Sequence, residues 1–350
     1  MSRPAKIVAL VGLLAVAPAT AVAAAHTWRT LPAPPRALSL GVTGVWTGQR
    51  LVLLGRKPLG DTPSPARDVS LSYDPASRRW TVLSPPRGPE SLPGYKTLWT
   101  GREMLAFDPF HSVAYRPATN TWRVLRKSID LGLVAWTGRE AIGWGGGCCG
   151  DASAAGVAYD PVSDRYRDLP PSPLSPSQGP IGAWTGRELI LFVSGYSPDG
   201  TRYPARFARA AAYDPATNRW RRLAPFPELG ERMGTAVWDG HELLVVAAGP
   251  SSRSTYAFDP ATNHWRMLAP LPASRLGPLA VWTGRKLVVL GGENATATKE
   301  LHDGLALDPR TNRWSSVPAA PLPHLYGTAA VWTGRTLIVS DGRRVASFTP

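Results

Sequence analysis

The sequence predicts an all-β fold, a closed propeller of seven four-stranded antiparallel blades. Three observations carry this: a tryptophan-turn phrase that occurs seven times, a second aromatic-turn phrase that follows six of them, and the division of the missing copy between the two chain ends. Repeats of this kind bury their apolar faces only by stacking on neighbours, so counting phrases also counts blades.

The first phrase sets Trp before Thr-Gly or Asp-Gly at Trp46, Trp99, Trp136, Trp184, Trp238, Trp282 and Trp332, at intervals of 53, 37, 48, 54, 44 and 50 residues. In "TAVWDGHELLVV" the Asp239-Gly240 pair predicts a type I′ hairpin turn, whose two central residues need positive φ. Thr-Gly takes that place in the other copies. On this register Trp282 and Arg285 would face each other across the strands and stack. The run after each turn, such as Leu287 to Leu290, is apolar without alternation, as expected of a strand covered on both faces.

The second phrase runs "YDPASRRW" to Trp80, "YRPATNTW" to Trp122, "YDPVSDRY" to Tyr166, "YDPATNRW" to Trp220, "FDPATNHW" to Trp265 and "LDPRTNRW" to Trp314. Asp-Pro at its start and Asn near its end are turn residues, Pro through its fixed φ and Asx through local side-chain bonds. It therefore predicts a second, longer hairpin. An inner pair of strands and an outer pair together make one blade.

The seventh copy is split. The chain ends Phe348-Thr349-Pro350 where Tyr-Asp-Pro would stand, and Trp28 lies 18 residues before Trp46, as Trp220 does before Trp238 and Trp314 before Trp332. The N-terminal strand is thus expected to complete the last blade and remove an open sheet edge. The short interval of 37 marks a trimmed second blade.

These phrases, with the glycine pair Gly291-Gly292 and the Tyr and Trp of "YDPATNRW", resemble kelch repeats. Over residues 26–350 the chain is similar to the kelch-type propeller domain of the galactose oxidase family, and at the level of fold to secreted kelch enzymes that epimerise sialic acid. The first resemblance would bring two Tyr and two His copper ligands and a Cys-Tyr crosslink. No residue-by-residue match for them is found: His241 and His264 replace turn arginines of their repeats, and His26, His111, His302 and His324 are scattered. No metal and no cofactor is therefore assigned.

Composition bounds the rest. With 43% hydrophobic and 18% charged residues the chain can bury a sizeable core, which excludes a disordered protein. Residues 1–25 read as a signal peptide: Arg3 and Lys6, an apolar run from Ile7 to Ala17, then small residues ending in Ala21-Val22-Ala23. An uncleaved anchor is the alternative, since the apolar stretch nearly suffices to span a bilayer. Residues 26–350 are then one propeller domain, extracellular or in the cell envelope, and expected to be monomeric.

The net charge of +14 falls to about +12 without the leader. Arg102, Arg139, Arg187, Arg285 and Arg335 follow the first turn, and Arg79, Arg219 and Arg313 flank the second. They predict a basic ring on the hairpin face, open to an anionic polymer, although cross-strand stacking and solubility explain the same residues. Export argues against a nucleic acid partner.

Both hairpins turn on one face, so the opposite face carries the variable loops, the usual binding surface of a rigid scaffold. The longest are residues 55–68, 194–209 and 291–304. Their binding candidates are Arg67 in the first, Tyr196, Arg202, Tyr203 and Arg206 in the second, and Glu300, His302 and Asp303 in the third. Arg and Tyr suit a sugar, a carboxylate or a peptide. Solvated loop residues are the alternative for each. Glu300, His302 and Asp303 are the one local group combining acid, base and ligand types.

"GWGGGCCGD" holds the chain's two cysteines, Cys148 and Cys149. Export favours a vicinal disulfide, which adjacent Cα atoms about 3.8 Å apart would strain; two thiols or pairing to another chain are the alternatives. No catalytic motif is present: a nucleophile elbow, a zinc-protease helix and a phosphate loop are all lacking. The expected function is a secreted module binding carbohydrate or extracellular protein through the loop face. The alternatives are an oxidoreductase- or epimerase-type enzyme on sugar-like substrates, with a loop-built site, and a structural envelope protein.

Overall fold

The computed structural model describes residues 27–58, 66–85, 95–147, 150–228, 234–247, 252–325 and 327–350. These form 28 strands in seven antiparallel four-stranded sheets. Blade 1 runs Leu40–Trp46, Leu51–Pro58, Ala66–Asp74 and Arg79–Leu83. The innermost strands of blades 2 to 6 are Lys96–Trp99, Leu133–Trp136, Ile181–Trp184, Thr235–Trp238 and Leu279–Trp282. Blade 7 takes Ala329–Trp332, Leu337–Ser340 and Val345–Phe348 from the C-terminus, and Trp28–Thr30 from the N-terminus as its outer strand.

Closure is therefore as the spacing of Trp28 predicts. Trp28 pairs with Phe348 and Thr30 with Ala346. Each innermost strand neighbours the innermost strands on both sides, blade 7 against blade 1 included, so the ring has no gap.

The apolar second strands fill the spaces between blades. In blade 6, Leu287 and Val289 pack with Leu244 and Val246 of blade 5, while Val288 and Leu290 pack with Leu337 and Val339 of blade 7. Alternate side chains thus serve two different cores, which is why the strand shows no polar face. A fully buried Leu or Val contributes about 1.5–3 kcal/mol, so seven such spaces supply the main stabilisation.

The first turn differs from the expectation by one residue. Trp282 pairs with Leu287, and Thr283 N–H donates to Lys286 O at 3.0 Å, leaving Gly284 and Arg285 as the central pair. Gly284 has φ +83°, and in the Asp copy Gly240 has φ +103° while Asp239 is not positive. This is the Gly-X arrangement with positive φ at the first central position, not type I′. Thr or Asp precedes Gly because its side-chain oxygen caps the turn: Lys286 N–H donates to Thr283 Oγ1 at 3.0 Å, and His241 N–H donates to Asp239 Oδ1 at 2.7 Å. The predicted Trp282–Arg285 stack does not form. The shifted register puts Leu287 opposite Trp282, and the exposed Arg285 comes within 4.0 Å of Asp308.

The second turn is as expected. Asp214 Oδ1 accepts from Ala216 N–H at 2.8 Å, and Asn218 takes φ +55°, a conformation that Asn and Asp adopt more readily than other side-chain-bearing residues. Asn120, Asp164, Asn263 and Asn312 repeat it, and blade 1 carries Arg78 there at φ +56°. Tyr115 and Tyr213 donate to the turn residues Asn120 and Asn218 at 3.0 and 2.6 Å. The Tyr at the head of the phrase is thereby tied to the Asn at its end.

Two devices recur between blades. The indole N–H or phenol of the outer strand donates to a carbonyl in the preceding blade's exit segment: Trp80 to Pro32, Tyr166 to Lys127, Trp220 to Pro170, Trp265 to Ala224, Trp314 to Ala269 and Trp28 to Pro318. On the hairpin face, blades 2 to 5 carry Glu three residues after the first-turn Thr or Asp and Arg one residue after the outer aromatic. The pairs are Arg123–Glu103, Arg167–Glu140, Arg221–Glu188 and Arg266–Glu242. Arg123 and Arg167 reach on to the next blade and donate to Tyr159 and Tyr213 at 2.8 and 3.0 Å.

Candidate functional site

Because both turns lie on one face, every innermost strand begins on the other, and the starts of several converge on the mouth of the central channel. The mouth is a cavity of about 650 Å³. Thr43, Thr97 and Thr328 bring hydroxyls to it from blades 1, 2 and 7, Gln178 an amide, and Lys96 and Asp130 opposite charges. Tyr95 and Phe107 add aromatic surface. The hydroxyls of Thr43 and Thr97 lie 2.6 Å apart, tying two blades together at the rim. Asp130 accepts from Gly147 N–H at 2.7 Å, which holds the glycine-rich strand end of blade 3 against the cavity.

Beside the mouth a buried ion network joins blades 1 and 2. Arg56 Nε donates to Asp68 Oδ1 at 3.0 Å and Nη2 to Asp108 Oδ2 at 3.3 Å, while Tyr95 OH donates to Asp68 Oδ2 at 2.8 Å. The guanidinium also sits 5.2 Å from the Tyr95 ring centre. Burial alone would lower the Arg56 pKa, but the bonds to Asp68 and Tyr95 outweigh it and raise it. Burial pushes the Asp108 carboxyl up, against the opposing pull of the Phe110 and His111 amides and of Arg56. Burial, then the Asp68 charge, also raises the Tyr95 phenol. The network fixes this side of the mouth.

The sequence did not single out this region. Arg56 and Asp68 fall at the ends of the segment 55–68 read as a loop, yet Leu51–Pro58 and Ala66–Asp74 remain paired through Arg56 opposite Asp68 and Lys57 opposite Arg67. Arg67 is thus an exposed strand residue. The blade 4 candidates form a small hairpin: Tyr196 bridges to Arg202, Tyr203 N–H donates to Gly195 O at 2.9 Å, and the Arg206 guanidinium lies 4.9 Å from the Phe207 ring centre.

In blade 6 the candidates have partners. Glu300 accepts from Leu325 N–H and lies 3.0 Å from His324 Nδ1, and Asp303 pairs with the buried Arg275 at 2.7 Å. The His302 carbonyl accepts from Ala320 N–H at 2.9 Å. The blade 4 and blade 6 groups are separated by blade 5, and none of them lines the mouth cavity. Cys148 and Cys149 lie outside the described residues.

The eight arginines of the predicted basic ring are all exposed on the hairpin face. Arg187 and Arg285 stand 3.9 and 4.0 Å from Asp214 and Asp308 of their own blades.

Seven four-stranded blades in a closed ring, repeated turns and a family match decide the class. Residues 274–321 match the Kelch motif family. The chain is a kelch-type β-propeller. Among solved structures it is similar to a fungal alcohol oxidase of the AA5 family, determined in complex with copper, with 14% identity, TM-score 0.67, and coverage of 93% of this chain and 76% of that one. It is also similar to the structure of YjhT, with 16% identity, TM-score 0.54, and coverage of 82% and 99%. No curated protein matches by sequence. At these identities the likeness is one of fold.

The copper set of the galactose oxidase family does not fit the residues present in this kelch propeller. His111 belongs to blade 2, His241 and His264 to blade 5, His302 to blade 6 and His324 to the connection into blade 7. Among the described residues no three His, Cys, Asp or Glu side chains gather as a metal set.

Proposed function

We propose that this kelch propeller is an exported binding module whose partner, a carbohydrate or an extracellular protein, docks on the loop face across the channel mouth. One observation carries the reading. The mouth is a cavity of about 650 Å³ in which hydroxyls, an amide, one cation and one carboxylate converge beside two aromatic rings. A concave site with a few converging polar groups on a rigid frame is what small polar ligands and loop-presenting partners require. Mixed donors and acceptors with nearly balanced charge suit hydroxyl-rich ligands better than highly charged ones. Export rests on the charge, apolar run and small-residue tail of residues 1–25.

The test is a glycan array and a panel of secreted-protein peptides probed with residues 26–350, followed by calorimetry on the best hit with Lys96→Ala and Gln178→Ala. A loss of tenfold or more in either variant, with melting temperature retained, supports the mouth as the site. Binding that ignores both variants removes it. Conversion of a bound sugar in the same samples would make the protein an enzyme instead.

A further inference from the structure

The Glu–Arg pair of the hairpin face is absent from blades 1, 6 and 7, and the junction between blades 1 and 2 departs furthest from the repeat. In blades 2 to 5 the Glu–Arg pair occupies the turn side of the blade, and in blades 2 and 3 its Arg caps the Tyr–Asx pair of the next blade. In blade 1 those two positions are Arg50 and Thr81. The Tyr115–Asn120 pair of blade 2 therefore receives no guanidinium from the outer strand of blade 1. The indole bond is missing at the same place: among the described residues Trp122 Nε1 is buried without a hydrogen-bond partner, whereas the other six outer aromatics donate to the preceding blade.

What is left is a groove of about 720 Å³. Thr81, Tyr115 and Asn120 line it where an Arg would otherwise cross, and Trp99 adds aromatic surface. Arg50, Arg102 and Arg116 also line it, and no carboxylate does. Their partners are distant or lacking: Arg50 lies 3.7 Å from Asp74, Arg116 lies 3.9 Å from Glu103, and Arg102 is exposed with no side-chain bond among the described residues. On the opposite face this same blade junction is locked by the Arg56 network, so the gap is open on one side of a fixed joint.

We propose that this inter-blade groove is a second ligand site, specific for an acidic saccharide unit, with its carboxylate held by Arg50, Arg102 and Arg116 and its hydroxyls by Thr81 and Asn120. Three guanidinium groups around a cavity of this size select an anion, because arginine binds carboxylates through paired, charge-assisted hydrogen bonds. Hydroxyl, amide and aromatic groups on the remaining walls fit a sugar body rather than a bare inorganic ion. The site is independent of the channel mouth.

The sequence supplies its own control. Arg50→Glu with Thr81→Arg writes into blade 1 the pair that blades 2 to 5 already carry, and fills the groove with the missing crossing. Calorimetry would use tri-galacturonic acid as the probe, with maltotriose and citrate alongside. The expected result is binding of tri-galacturonic acid at least tenfold tighter than of either comparison ligand, lost at least tenfold in the double variant with melting temperature kept or raised. Arg102→Ala is the second variant, should the double variant fold poorly, and is expected to weaken binding at least fivefold. Equal binding of maltotriose, equal binding of citrate, no binding at all, or binding indifferent to the variants would each overturn the site.

Discussion

Trp28, near the start of the chain, lies opposite Phe348, two residues from its end, with ring centres 5.2 Å apart. The same indole donates to Pro318 O at 2.7 Å. One side chain thus joins the outer strand to its blade and blade 7 to the exit of blade 6. Trp28→Ala removes a half-buried ring and that bond. The expected cost is about 2 kcal/mol, below the range for a fully buried Trp, read as a lower urea midpoint. An unchanged midpoint would mean that the ring closes without this strand.

Arg56 is the cation that pairs with the buried carboxylates of Asp68 and Asp108. Arg56→Leu leaves two carboxylates enclosed without their counter-charge, and breaking a buried pair from one side costs about 3–5 kcal/mol. Lys57, its exposed neighbour in the same strand, serves as the control, and Lys57→Ala is expected to stay within about 0.5 kcal/mol. Chemical denaturation of both variants checks the contrast.

Arg78 stands in the left-handed region where blades 2 to 6 place Asn or Asp. Arg78→Asn supplies a residue suited to that conformation and an acceptor for Tyr73 OH, the bond that Tyr115 makes to Asn120. A stabilisation of up to about 1 kcal/mol is expected, part of the roughly 1–2 kcal/mol that a side-chain-bearing residue other than Asn or Asp loses in this conformation. A loss of stability would show that Arg78 contributes more through its charge than it costs through its backbone.

Acid should weaken the second turns. The carboxylates of Asp74, Asp160 and Asp259 are held below the usual carboxylate range, Asp74 first by the backbone amide of Ala76, Asp160 by the Ser163 hydroxyl and Asp259 by the Thr262 hydroxyl. Their folded pKa values lie below the unfolded value of about 3.9, so the folded state binds fewer protons. The stability they contribute is present above about pH 4 and lost as pH falls through the folded values. Asp108, raised by burial, works with the opposite sign, favouring the fold at low pH and losing that contribution as pH rises. Urea midpoints between pH 5 and pH 2 should fall, and replacing the three turn aspartates by Asn should flatten that decline.

The repeat makes the ring legible in the sequence. Trp28 announced closure through an 18-residue spacing, and the apolar run Leu287 to Leu290 announced a strand buried on both faces, because local turn chemistry and strand patterning are properties of short segments. The register of the first turn differs by one residue from the one its Asp-Gly pair predicts. The residue before Gly suggests a backbone role, but Thr283 and Asp239 are there for side-chain bonds that only the folded turn displays.

The functional surfaces were less legible. Glu300, His302 and Asp303 combine acid, base and ligand types within one short segment, and the structure gives the two carboxylates Leu325, His324 and Arg275 as partners from elsewhere in the chain. Arg56, Asp68, Tyr95 and Asp108 carry no local pattern, because their common meeting point is created by the approach of two blades. The sequence by itself determined the blade count, the strand order and which face holds which turns, all set by repeated contacts between near neighbours in the chain. Only the tertiary structure decided where charges meet and where a groove stays open, because those depend on residues of different blades whose spacing in the chain carries no pattern.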